Sequence, residues 1–140
     1  MNESLPVGNG QFGALVFGGA SLERLALNEI SLWSGDDNPG GSYDSMGNYE
    51  TLGNLWLQLP GHESPTDYRR QLDLDQALAT VTYTVGGVRY TREVFVSAPD
   101  GVLALRLTAD QPGALSGQIA WQDAHQAPVT VEANKFLAAG

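Results

Sequence analysis

Residues 80–97 read TVTYTVGGVRYTREVFVS, and the fold assignment turns on them. Successive strand side chains point to opposite faces, so Val81, Tyr83 and Val85 share one side and Thr80, Thr82 and Thr84 the other. Gly86-Gly87 then supplies a two-residue turn able to take positive φ. Pairing across that turn sets Val85 opposite Val88, Tyr83 opposite Tyr90, Thr84 opposite Arg89 and Thr82 opposite Thr91. One face comes out Val/Tyr and the other Thr/Arg/Glu. A slip of one residue would scramble both faces, so the pattern specifies its own register. The stretch predicts a β-hairpin.

The same period recurs along the chain. Residues 14–17 and 24–28 flank Gly18-Gly19-Ala20-Ser21 and read as an earlier hairpin. Leu55, Leu57 and Leu59 alternate with Trp56 and Gln58, and Leu103, Leu105 and Leu107 alternate with Ala104 and Arg106. Residues 118–122 and 129–132 add two more strands, with 135–138 folding back on 129–132 across Ala133-Asn134. The one helical candidate is 73–79. With 17 glycines and 7 prolines breaking the chain, the expected class is all-β: an antiparallel β-sandwich with few or no helices.

Composition limits the function. The chain has 140 residues, one domain's worth, and 42% apolar residues fit a globular protein. Sixteen acids against seven cations give a net charge of −9. That leaves no basic patch for phosphates, so neither nucleic acid nor an anionic membrane is an expected partner. Neutral ligands such as sugars are not disfavoured. No apolar run approaches the ~20 residues that span a bilayer. Residues 1–10 lack the basic start and apolar stretch of a signal peptide. Asn2-Glu3-Ser4 spells a glycosylation sequon, a triplet common by chance.

Gly8-Asn9-Gly10-Gln11-Phe12-Gly13 spells G-x-G-x-x-G. The phosphate-binding form needs a strand before it and a helix after it, because the helix N-terminus holds the pyrophosphate. Only seven residues precede Gly8, Pro6 among them, and Ala14-Leu15-Val16-Phe17 is β-like. A glycine-rich turn feeding a strand is the expected structure. Neither metal nor other cofactor is expected. There is no cysteine, His62 and His125 stand apart, and Asp36, Asp37 and Asp44 lack the alternating ligand spacing of a calcium loop. No G-x-S-x-G elbow occurs. Glu23, Glu93 and Glu132 read as outer-face strand residues, and no acid pair for glycoside hydrolysis can be singled out.

Three tryptophans remain. An indole face beside polar groups suits sugar stacking, and an indole also packs well in a core. The strand patterns assign Trp56 and Trp121 to the core. Trp33 opens the polar loop SGDDNPGGSYDSMGN, residues 34–48, and both uses stay open for it.

Five segments together carry a resemblance: NESLPVGNGQFGALVFGG (2–19), ERLALNEISLWSG (23–35), YETLGNLWL (49–57), YRRQLDLD (68–75) and ATVTYTVGGVRYTREVFVSAP (79–99). In order and spacing the chain resembles the N-terminal domain of glycoside hydrolase family 95, the α-L-fucosidase family. L-N-E-x-x-L-W-S-G and Y-R-R-x-L-D-L-D are the most specific pieces. The resemblance implies a β-sandwich, here a partial super-sandwich over residues 1–140, preceding a helical (α/α) catalytic barrel that is absent from this chain. It also implies inverting hydrolysis of terminal α-1,2-linked fucosides, with a Glu general acid and a water held by Asn and Asp in the barrel. No catalytic residue therefore falls in this chain, which by itself is expected to be inactive. The implied partner is the barrel of the parent enzyme, in a secreted or periplasmic setting. Asn9, Gly10 and Trp33 are expected on the barrel-facing, or substrate-facing, side. The alternative is a free-standing carbohydrate-binding sandwich that holds an oligosaccharide on Trp33, Tyr43 and Tyr49.

Overall fold

The computed structural model describes residues 3–138 apart from 36 and 39. Asn2 of the sequon and Asp36 of the acidic loop therefore lie outside the described residues. Among the described residues eleven strands form, every pair antiparallel, with no α-helix and a single 3-10 turn at Tyr43–Ser45. They are β1 (Leu5–Gly8), β2 (Phe12–Val16), β3 (Leu22–Glu29), β4 (Gly53–Gln58), β5 (Thr66–Asp73), β6 (Leu78–Val85), β7 (Val88–Ser97), β8 (Val102–Ala109), β9 (Gln118–Asp123), β10 (Val129–Glu132) and β11 (Lys135–Ala138).

The strands make a five-stranded sheet, β1-β2-β3-β4-β9, and a four-stranded meander, β5-β6-β7-β8, with β10-β11 as a separate hairpin. The two larger sheets pack face to face as a sandwich. The chain enters the second sheet after β4 and returns to the first at β9. The hairpin read from residues 80–97 is β6–β7, with Val85 on Val88, Thr84 on Arg89, Tyr83 on Tyr90 and Thr82 on Thr91.

The core is what alternation dictates. Val16, Leu25 and Leu27 of the first sheet meet Ala79 and Val94 of the second, with Leu55, Leu105 and Trp121 packed around them. Tyr83 and Tyr90 stack beside Val81 in an adjoining cluster. Odd-numbered residues of β3 thus face inward and even-numbered ones outward.

Several sequence expectations change. Residues 73–79 are not helical. They end β5 and begin β6 through a turn in which Asp73 Oδ1 accepts the N–H groups of Asp75 and Gln76 at 3.0 Å. Its carboxylate satisfies the turn's donors locally, which is how Asp favours turns over helix interiors. A strand, β1, does precede the glycine run, as an edge strand that tolerates Pro6. The run leads into the antiparallel strand β2, not into a helix. Trp56 lies on the outer face of the first sheet, because its register partner is Arg24 and not one of the inward leucines.

Candidate functional site

The residues singled out by sequence lie at the end of the first sheet where β1 turns into β2. Asn9 closes that turn. Its N–H donates to Phe12 O at 3.1 Å, and its Oδ1 accepts from Gln11 N at 3.0 Å and Phe12 N at 2.7 Å. Its Nδ2 donates across the sandwich to Ser97 O at 3.0 Å, where β7 ends. The amide therefore ties the two sheets together rather than pointing free. Gly10 takes φ +92° with open space around it.

Beyond β3 the chain passes the same turn. Ile30 N–H donates to Gln11 O at 2.9 Å, and Trp33 Nε1 donates to Ile30 O at 2.9 Å. Trp33 pairs with Tyr49 as an isolated antiparallel bridge, their rings edge to face at 5.4 Å between centroids and 64° between planes. That bridge, with Ser34 N–H donating to Asn48 O at 2.8 Å, closes the neck of the polar loop. Trp33 is 61% exposed and Tyr49 44%, with Ile30 also exposed. Gly10, Phe12, Asn28, Ile30 and Tyr49 line one shallow cleft. Asn9, Gly10 and Trp33 are thus neighbours at one end of the sandwich. Trp33 and Tyr49 meet at an angle, so they form an exposed apolar ridge rather than a flat platform. Beside it, hydrogen bonds from the Ser31 hydroxyl and N–H hold the Glu29 carboxyl below its ordinary value.

The opposite end holds charges at odds with the sequence expectation. Glu23 is fully buried, not an outer-face residue, because it shares parity with Leu25 and Leu27. Its Oε2 is paired with Nη1 of Arg92, also fully buried, and its Oε1 accepts from Gly18 N at 2.7 Å and Arg24 N at 3.0 Å. The segment 17–19 is gripped by the second sheet through its carbonyls. Tyr68 Oη donates to Gly18 O at 2.7 Å, Arg92 Nη1 to Gly19 O at 3.0 Å and Arg70 Nη1 to Phe17 O at 2.5 Å. His62, in the crossover between sheets, is buried against Tyr83 and Tyr90, with Nδ1 2.9 Å from Tyr83 Oη. Burial pushes the His62 pKa down. The nearby Glu63 charge raises it and that of Arg92 lowers it. Glu23 and Arg92 were legible in principle, since each sits at an inward-facing position of its strand.

On chemistry, this cluster is a buried polar plug between sheets, closed to substrate. The described residues hold no group of three His, Asp or Glu side chains able to bind a metal.

The geometry defines an antiparallel two-sheet sandwich with an exposed aromatic ridge at one end and a buried ion pair between its sheets. The family profile described as "Glycosyl hydrolase family 65, N-terminal domain" matches residues 1–45 and 37–140, and the chain belongs to that family. It is similar to Alpha-L-fucosidase 2 of Arabidopsis thaliana, at 30% identity over 99% of this chain and 20% of the relative. It is also similar to Probable alpha-fucosidase A of Aspergillus oryzae, at 28% identity over 77% of this chain and 20% of that protein. The Aspergillus niger protein of the same name is 29% identical over 76% of this chain. The chain thus spans about a fifth of the length of these curated relatives.

Proposed function

We propose that this chain is the non-catalytic N-terminal sandwich of an inverting α-L-fucosidase of the family 95 type, acting on terminal α-1,2-linked fucosides. In this reading a helical barrel carries the acid and the water-holding groups. The end of the sandwich bearing Gly10, Ile30, Trp33 and Tyr49 is the face that braces it. Asn9 acts indirectly, holding the turn in place.

The observation that carries the reading is the fucosidase likeness confined to a fifth of the relatives' length. The exposed ridge of Trp33 and Tyr49 supports it, because contiguous apolar exposure marks contact surfaces. The test is hydrolysis of 2′-fucosyllactose by the 140-residue chain and by a protein of the relatives' full length that contains it. The expected result is turnover by the longer protein alone, with inversion seen by NMR of the first-formed anomer. Turnover by the short chain, or none by the long one, overturns the proposal. Trp33→Ala is expected to lower the unfolding temperature of the longer protein by more than that of the short chain, which loses only the contacts to Ile30 and Tyr49.

A further inference from the structure

The outer face of the five-stranded sheet carries a second cluster, on the side away from the core and independent of the fucosidase reading. Arg24 on β3 and Trp56 on β4 are register partners there. The Arg24 guanidinium carbon lies over the Phe17 ring at 4.8 Å from its centroid and over Trp56 at 5.7 Å. Its Nε donates to Asn54 Oδ1 at 2.7 Å. Gln122 Oε1, from β9, accepts from Trp56 Nε1 at 3.0 Å and from Asn54 Nδ2 at 3.4 Å.

The remaining valences are one-sided. Asn54 Oδ1 and Gln122 Oε1 already accept, whereas both Nη groups of Arg24 and Nε2 of Gln122 make no hydrogen bond to any described residue. No carboxylate of the described residues lies within 4.0 Å of Arg24, in a chain with sixteen acids and a net charge of −9. The guanidinium is thus anchored at Nε, flanked by two rings and left with its fork of donors open. A fork of this kind matches a carboxylate bidentately. The half-buried indole beside it offers apolar ring surface, and the side-chain amide offers a hydroxyl partner.

We propose that this face binds a carboxylate-bearing sugar, a hexuronate unit of an acidic oligosaccharide. The carboxylate sits on the Arg24 Nη groups, the ring lies against Trp56, and a hydroxyl accepts from Gln122 Nε2. An acidic peptide would use the charge but not the indole and amide, and a neutral sugar would leave the guanidinium unspent.

The test monitors the Trp56 indole N–H and the Arg24 Nε–H by NMR while digalacturonate is added, with galactobiose and a Glu-rich tripeptide as parallel titrants. Expected is saturable movement of both signals with digalacturonate alone, with a Kd on the order of 1 mM. Arg24→Lys, which keeps the charge and loses the fork, is expected to weaken it by about tenfold. Val102→Ala, an exposed position on the other sheet, is expected to change nothing. Equal response to galactobiose or to the peptide overturns the proposal, as does no response to digalacturonate. Should Arg24→Lys fail to fold, Gln122→Leu serves instead, and unchanged affinity in it counts against the site.

Discussion

Glu23 on β3 and Arg92 on β7 form an ion pair across the two sheets with both side chains wholly excluded from solvent. The pair is fed by further polar groups, since Glu23 also accepts the Gly18 N–H and Arg92 also donates to Gly19 O. Removing one partner strands a charge in the interior, which typically costs about 3–5 kcal/mol. Glu23→Ala and Arg92→Ala are each expected to destabilise by that amount in urea unfolding. A double replacement with packed apolar residues, Glu23→Leu with Arg92→Met, is expected to recover most of the loss. Single variants that cost under about 1 kcal/mol would mean the charges reach water.

The His62 prediction concerns pH. Its folded pKa lies below the ordinary 6.5, chiefly through burial, so the fold favours the neutral ring. The unfolded chain takes up the proton first as pH falls. Stability from this group is therefore full above about 6.5 and is lost as pH drops toward the folded pKa. The urea midpoint is expected to fall between pH 7 and pH 5.5. His62→Gln, which keeps a partner for Tyr83 Oη and cannot titrate, is expected to flatten that slope. An unchanged slope in His62→Gln would place the proton elsewhere.

Gly19 and Gly40 make a paired test of crowding. A Cβ on Gly19 would overlap the carbonyl oxygen of Leu22, whereas one on Gly40 meets nothing within 4 Å. Backbone cannot swing aside as a flexible side chain can, so Gly19→Ala is expected to cost about 2–3 kcal/mol. Gly40→Ala is expected to stay within about 0.5 kcal/mol of the parent. Equal thermal shifts would sink the argument.

Asn9 separates two roles of one amide. Asn9→Ala loses the acceptor for Gln11 and Phe12 N–H and the donor to Ser97 O. Each such bond is worth about 1 kcal/mol net. Asn9→Asp keeps the acceptor and loses only the tie to Ser97. With two of the three bonds kept, it is expected to recover about two-thirds of the alanine loss in chemical denaturation, and a loss equal to alanine's would assign the whole effect to the tie.

Period-2 alternation makes β6–β7 readable to the residue, because burial of one face leaves only one register for Tyr83 and Tyr90. β1 and β5 are harder. Leu5-Pro6-Val7-Gly8 is short and carries a proline, and Thr66–Asp73 puts charges at half of its positions, so neither shows a clean apolar stripe. The turn at 74–77 resembles a helix in sequence because its short window fits both periods. Trp56 misleads for a different reason: its place in a strand suggests core, but it alternates with Leu55 and Leu57 and pairs with Arg24, which puts it on the outer face.

Sequence alone settles the all-β class, the central hairpin, the inward rows of Val and Leu and the fucosidase likeness, because each is local or written in alternation. Tertiary structure decides which strands share a sheet and that Asn9 reaches Ser97, 88 residues away. It also decides that Glu23 finds Arg92 across 69 residues and that Arg24 keeps its fork open on the outer face. Alternation says which side a residue faces but not what stands opposite it. A buried charge or an open donor acquires its meaning only from the partner that folding places, or fails to place, within hydrogen-bond reach.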